Sequence, residues 1–162
     1  MRRRFLNRAL AEIASRRGLV HEERAGGWIV RVGNGHRHLE AYGYLLSLND
    51  GVAAAVARDK AAAAQRLGLD GIPTVATALV LGDMRQAWVD GRDARAAFDD
   101  AMVEQPPPVV VKPNEGSSGV GVTRADDVAA AWTATAELLA REPAVVVQPV
   151  VPIASEERWV LL

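Results

Sequence analysis

The stretch VVVKPNEGSSGVGV, residues 109–122, decides how this chain is read. Three successive valines predict a short buried strand, since β-branched residues fit a pleated and enclosed surface. That strand delivers Lys112 at its end, directly before a loop containing Gly116, Ser117, Ser118, Gly119 and Gly121. Glycines let a backbone approach an anion without Cβ interference, consecutive N–H groups form an anion-binding nest, and two hydroxyls add donors. Lys112 supplies a point charge beside them. The order is not that of a P-loop, because the lysine precedes the glycines, and no GxGxxG fingerprint follows Gly33-Asn34-Gly35. Taken by itself, the loop also fits a flexible hairpin connection.

The flanks extend the pattern in both directions. Upstream, Gly71-Ile72-Pro73-Thr74 leads into an apolar strand over 75–81, preceded by an Ala-rich helix over 52–67, opened by Asn49-Asp50, with Asp59-Lys60 in its middle. Residues 82–100 read as a polar segment, and Pro106-Pro107-Pro108 stops whatever precedes it. Downstream, Asp126 is the expected cap of a helix through about Arg141, and Val145-Val146-Val147 is the next strand. Trp159-Val160-Leu161-Leu162 starts a further apolar strand. The N-terminal third predicts an amphipathic helix over 2–17 ending at Gly18, then two strands, 28–32 and 36–42, around an Asn34-Gly35 turn. His36 and His38 read as part of an ordinary polar hairpin face rather than a metal site.

Composition narrows the function classes. Net charge is −1 over 162 residues, which offers no field for nucleic acid. No apolar run approaches the ~20 residues of a membrane span, and the basic N-terminus lacks the apolar core of a secretory signal. With no cysteine there is neither a disulfide nor a thiolate site, compatible with a cytoplasmic protein. Of the 19 basic residues that are lysine or arginine, only Lys60 and Lys112 are lysine. In a chain that uses arginine for surface charge, a compact ammonium at two positions points to a particular task.

The ordered set of Asp59-Lys60, Gly71-Ile72-Pro73-Thr74, the 109–122 stretch, a helix, VVVQP and Glu156-Glu157-Arg158 resembles the ATP-grasp superfamily. Over residues 45–162 it is similar to the carboxylate–amine ligases of the cyanophycin-synthetase, bifunctional glutathione-synthetase and D-alanine–D-alanine-ligase kind. The resemblance implies an α/β (α+β) fold: a lead-in helix and hairpin over 1–50, then an ATP-grasp domain over 51–162, of which this is the small nucleotide-binding lobe. It implies that Lys60 and Lys112 contact ATP phosphates, and that the loop from Gly116 through Ser117, Ser118 and Gly119 to Gly121 closes over them. Gln148 falls where the family places a residue near the adenine amino group. Pro149 has no N–H, so Val150 or Val151 would supply any main-chain donor. Glu156 matches the acidic position that accepts from the ribose hydroxyls.

The implied activity is ATP-dependent activation of a small-molecule carboxylate as an acyl-phosphate, attacked by an amine to give an amide, ADP and phosphate, with Lys112 as the catalytic side chain. Magnesium is the implied metal, and its acidic ligands are expected in a second lobe beyond Leu162. The chain is therefore expected to be incomplete and inactive alone. Its apolar C-terminal strand is expected to make it associate, as a homodimer or otherwise, unless a partner covers that edge. The alternative is a non-catalytic nucleotide-binding or regulatory fragment of the same fold.

Overall fold

Two four-stranded antiparallel sheets organise the computed structural model, which describes residues 4–48 and 50–155. They fall in two compact units, Met1–Ala55 and Val56–Leu162. Among the described residues no helix is long and apolar enough to cross a membrane.

In the first unit, helix α1 (Phe5–Arg17) stops at Gly18, whose left-handed conformation (φ 63°) returns its N–H to the last turn. Strands β1 (Val20–Arg24), β2 (Ile29–Gly33), β3 (His38–Tyr42) and β4 (Leu45–Leu46) follow in spatial order. Leu10 and Ala14 of α1 pack on Val30, Val32 and Ala41, so one face of the sheet is closed by the helix. The expected hairpin is present, with Gly33 opposite His38 and a four-residue connection rather than a two-residue turn. Asn34 closes it by accepting, at Oδ1, the N–H groups of His36 and Arg37. Strand β1 was not anticipated. Its sequence, VHEER, is polar on both sides of the alternation and is held by pairing with β2 rather than by apolar burial.

The expected helix over 52–67, which spans the division between the two units, is corrected by the structure. It is two helices, α2 (Gly51–Arg58) and α3 (Lys60–Leu69), interrupted at Asp59. Asp59 adopts an extended conformation (φ −90°, ψ 112°) and its carboxylate accepts from Ala62 N–H at 2.7 Å. The side chain thus competes with the helical ladder and starts a new helix whose first residue is Lys60. The expected opening at Asn49 lies outside the described residues, whereas Asp50 accepts from Val52 and Ala53.

The strand expected at 75–81 is the shorter β5 (Ala78–Leu81), and the polar segment 82–100 contains α4 (Asp83–Asp90) and most of α5 (Ala94–Glu104). Strand β6 (Val109–Pro113) is joined to β7 (Thr123–Ala125) by the glycine loop, and α6 (Val128–Leu139) and β8 (Ala144–Pro149) complete the unit. Helix α6 is capped by Asp127, which accepts from Ala130 N–H, and not by Asp126, which pairs with Arg124.

The sheet order is β5-β8-β6-β7 with every neighbour antiparallel. Val80, Val109, Val111, Val145 and Val147 meet Phe98 and Met102 of α5 and Ala131 and Leu138 of α6. Both helices therefore cover the same face. Antiparallel strands with helices on one side make this an α+β arrangement. The opposite face carries Lys112, Val110, Val146 and Gln148, because successive side chains of a strand alternate.

Candidate functional site

The strand period places Val109 and Val111 in the core and sends Val110 and Lys112 to the face free of α5 and α6. Lys112 stands opposite Val146 in the register, and Gln148 opposite Val110, so the two polar side chains lie diagonally on adjacent strands. Lys112 is half-buried. Burial pushes its ammonium below the ordinary value of 10.5, and the nearby Lys60 ammonium pushes in the same direction. Among the described residues neither lysine makes an ion pair. Two like charges held together without a carboxylate form a site that an anion would stabilise.

Helix α3 brings Lys60 to this place. Its Nζ donates to the carbonyl oxygens of Asn114 (3.1 Å) and Gly116 (3.2 Å), at the start of the glycine loop. The loop itself is exposed between two well-packed ends. Gly116, Ser118 and Gly119 take positive φ (118°, 62° and 70°), and Ser118 is one of two described non-glycine residues that do so. Gly121 (φ 73°) packs so closely that an added Cβ would lie 3.1 Å from both Leu138 Cδ2 and Pro113 Cγ. That contact anchors the loop's far end on α6 and β6, and only glycine meets both demands. The N–H groups of Gly116, Ser117, Ser118, Gly119 and Gly121 find no acceptor among the described residues. Ser117 and Ser118 add exposed hydroxyls beside them. The loop is thus a hairpin connection and a donor-rich one at once; the two readings of its sequence do not compete.

The remaining site residues are more dispersed. Gln148 donates through Nε2 to Thr77 Oγ1 (2.7 Å), which engages the amide nitrogen and leaves the amide oxygen as an acceptor. The Val150 N–H is committed to Pro108 O (3.1 Å), leaving Val151 N–H as the main-chain donor of the pair. Glu156, with Glu157, Arg158 and the apolar 159–162, lies outside the described residues. Sequence reasoning missed Asn114, although it stands two positions after Lys112: it is buried, and its side chain accepts from Ala61 N–H at 3.0 Å. No local pattern signals a partner 53 positions away. Glu115, the one acidic residue of the loop, is exposed and paired with Arg58 at 3.3 Å. Among the described residues no group of three or more His, Asp or Glu side chains converges to hold a metal ion.

The lowered pKa of Lys112 gives a pH signature with a definite sign. An amine attracts an anion through its charge only while it is protonated, so the affinity of any anion held by Lys112 is expected to decline with rising pH through a midpoint below 10.5. Over the same window the unfolded chain binds more protons than the folded one, so stability should rise with pH. Calorimetric titrations from pH 7 up to 10.5 check this, and in Lys112→Arg the decline should move to higher pH. An affinity unchanged across that range would remove Lys112 from the contact.

No protein-family model matches the chain, and no curated protein matches it. Solved structures do. The VanG D-Ala:D-Ser ligase from Enterococcus faecalis is similar over 64% of this chain and 27% of its own, at 19% identity and a TM-score of 0.52. A RimK domain ATP-grasp protein from Sphaerobacter thermophilus is 29% identical over 61% of this chain and 33% of its own, with a TM-score of 0.44. A bifunctional glutathione synthetase from Pasteurella multocida is 16% identical over 90% of this chain and 19% of its own, with a TM-score of 0.44. The chain therefore spans a third or less of the length of each of these.

Proposed function

We propose that this chain, which carries part of the ATP-grasp fold, is the ATP-binding portion of an ATP-dependent carboxylate–amine ligase. The observation that carries the reading is the meeting of Lys60, Lys112 and the glycine loop at one end of β6. The two lysines are far apart in sequence, and are the only lysines the chain has.

On this reading each residue has a distinct role. Lys112, fixed by a paired strand, neutralises charge on a phosphate held at the end of β6 beside the glycine loop. Lys60 offers a second ammonium, released from two loop carbonyls when a stronger acceptor arrives. The N–H groups of 116–119 and 121 and the serine hydroxyls surround the phosphate oxygens, while Gln148 Oε1 accepts from an adenine amino group and Val151 N–H offers a donor just beyond the end of the same strand. ATP would supply the phosphoryl group that activates a carboxylate toward an amine. The contribution of this chain to that reaction is charge neutralisation and positioning.

The loop provides the test. It has many unengaged donors and few apolar anchors between Pro113 and Gly121, so it is expected to move when no nucleotide is present and to order around phosphates. Amide exchange at 116–121 should slow on addition of ATP with magnesium, and stay unchanged with adenosine. Equal exchange in all three conditions, together with no heat of ATP binding, would reject the reading.

A further inference from the structure

We propose that Asn114 is a positioning residue that sets the Lys60 ammonium beside the phosphate loop; the proposal rests on the nucleotide reading above. The first four N–H groups of any helix lack partners within it and are ordinarily satisfied by nearby residues. Helix α3 departs from this. Ala62 and Ala63 donate locally to Asp59, but Lys60 N–H donates to Asn114 O (3.1 Å) and Ala61 N–H to Asn114 Oδ1 (3.0 Å). The same Asn114 carbonyl accepts from Lys60 Nζ, and the Asn114 N–H donates to Ala144 O at the start of β8 (3.1 Å). One buried residue, 5% exposed, thus ties the start of α3, the Lys60 ammonium, the end of β6 and the start of β8 together.

The consequence is geometric. Lys112 is fixed by β6, and Asn114 lies two residues further along the same chain, so pinning α3 to Asn114 sets the distance between two ammonium groups otherwise separated by about fifty residues of sequence. The amide suits the place for an electrostatic reason. A carboxylate would also accept from Ala61 N–H, but would bring a negative charge to a site that must receive phosphate. An alanine would leave the buried Ala61 N–H without its acceptor.

The test is a double-mutant cycle on the full chain, with ATP affinity measured by calorimetry in magnesium buffer and folding followed by circular dichroism. Asn114→Ala is expected to weaken ATP about tenfold, Lys60→Ala by a similar factor, and the double variant no more than about twofold beyond Lys60→Ala alone, because the asparagine acts through the lysine. Asn114→Asp keeps an acceptor for Ala61 N–H but introduces a charge at a buried position, so it is expected to lower the melting temperature less than Asn114→Ala and still to lose ATP affinity, a split that a purely structural residue would not produce. Should Asn114→Ala fail to fold, Asn114→Asp alone decides. Fully additive losses, or an Asn114→Asp protein that binds ATP as tightly as the unaltered chain, overturn the proposal. An unaltered chain that binds no ATP would instead reject the nucleotide reading itself.

Discussion

Replacement of Lys112 by alanine should weaken ATP binding by about 10- to 150-fold, equivalent to the roughly 1.5–3 kcal/mol of a hydrogen bond to a charged group. The expected size follows from the surroundings. The Lys112 ammonium is half-buried on the sheet face, its charge is already disfavoured by burial and by Lys60, and no carboxylate among the described residues offsets it. A phosphate that relieves both penalties gains more there than at an exposed lysine. The fold should tolerate the change, since the alanine removes an uncompensated charge and leaves Val109 and Val111 in place. Lys112→Arg should recover only part of the affinity, because a planar fork differs from an ammonium in shape and reach. Calorimetry with ATP and magnesium measures the loss, and thermal melting separates it from instability. An alanine variant with undiminished affinity would place the phosphates elsewhere.

The largest effect on stability is expected at Phe98. It is fully enclosed in the core between α5, α6 and the sheet, with its ring centroid 5.2 Å from that of Trp132 at an interplanar angle of 57°. The Arg95 guanidinium lies over Trp132, 4.8 Å from the ring centroid, and covers the pair from the solvent side. Phe98→Ala removes the transfer free energy of an aromatic ring and leaves a cavity among valines whose strands cannot close in without losing register. The cost should be about 3–5 kcal/mol. Phe98→Leu should cost less than the alanine change, because it restores part of the volume. Urea unfolding of the two variants checks the order, and a loss under about 1 kcal/mol in Phe98→Ala would mean that α5 does not close this core.

Helix α5 also illustrates what the sequence concealed. It contains Arg95, Asp99 and Asp100 and falls largely within the segment that read as polar, yet its buried side is Ala94, Ala97, Phe98, Ala101 and Met102. A stripe made mostly of alanine has little hydrophobic contrast, so its helical period is faint until the sheet beneath it is known. The same holds for β1 and β7, whose short or charged sequences form strands because β2 and β6 supply the hydrogen-bonding partners. Pairing energy of that kind has no local signature.

What the sequence determined by itself was the local chemistry of the site: a short strand carrying Lys112 near its end, a loop of glycines and small polar residues after it, and a second lone lysine, Lys60, which read as interior to a single helix. Those features depend on side-chain type and on a period of two, both written in consecutive residues. The nearness of the two lysines was not. It arises from the break at Asp59, which makes Lys60 the first residue of α3 instead of an interior one, and from Asn114, which supplies the acceptors that hold that helix start against the end of β6. Tertiary structure decided it, because a buried N–H must find an acceptor and the one available lies half a domain away in sequence.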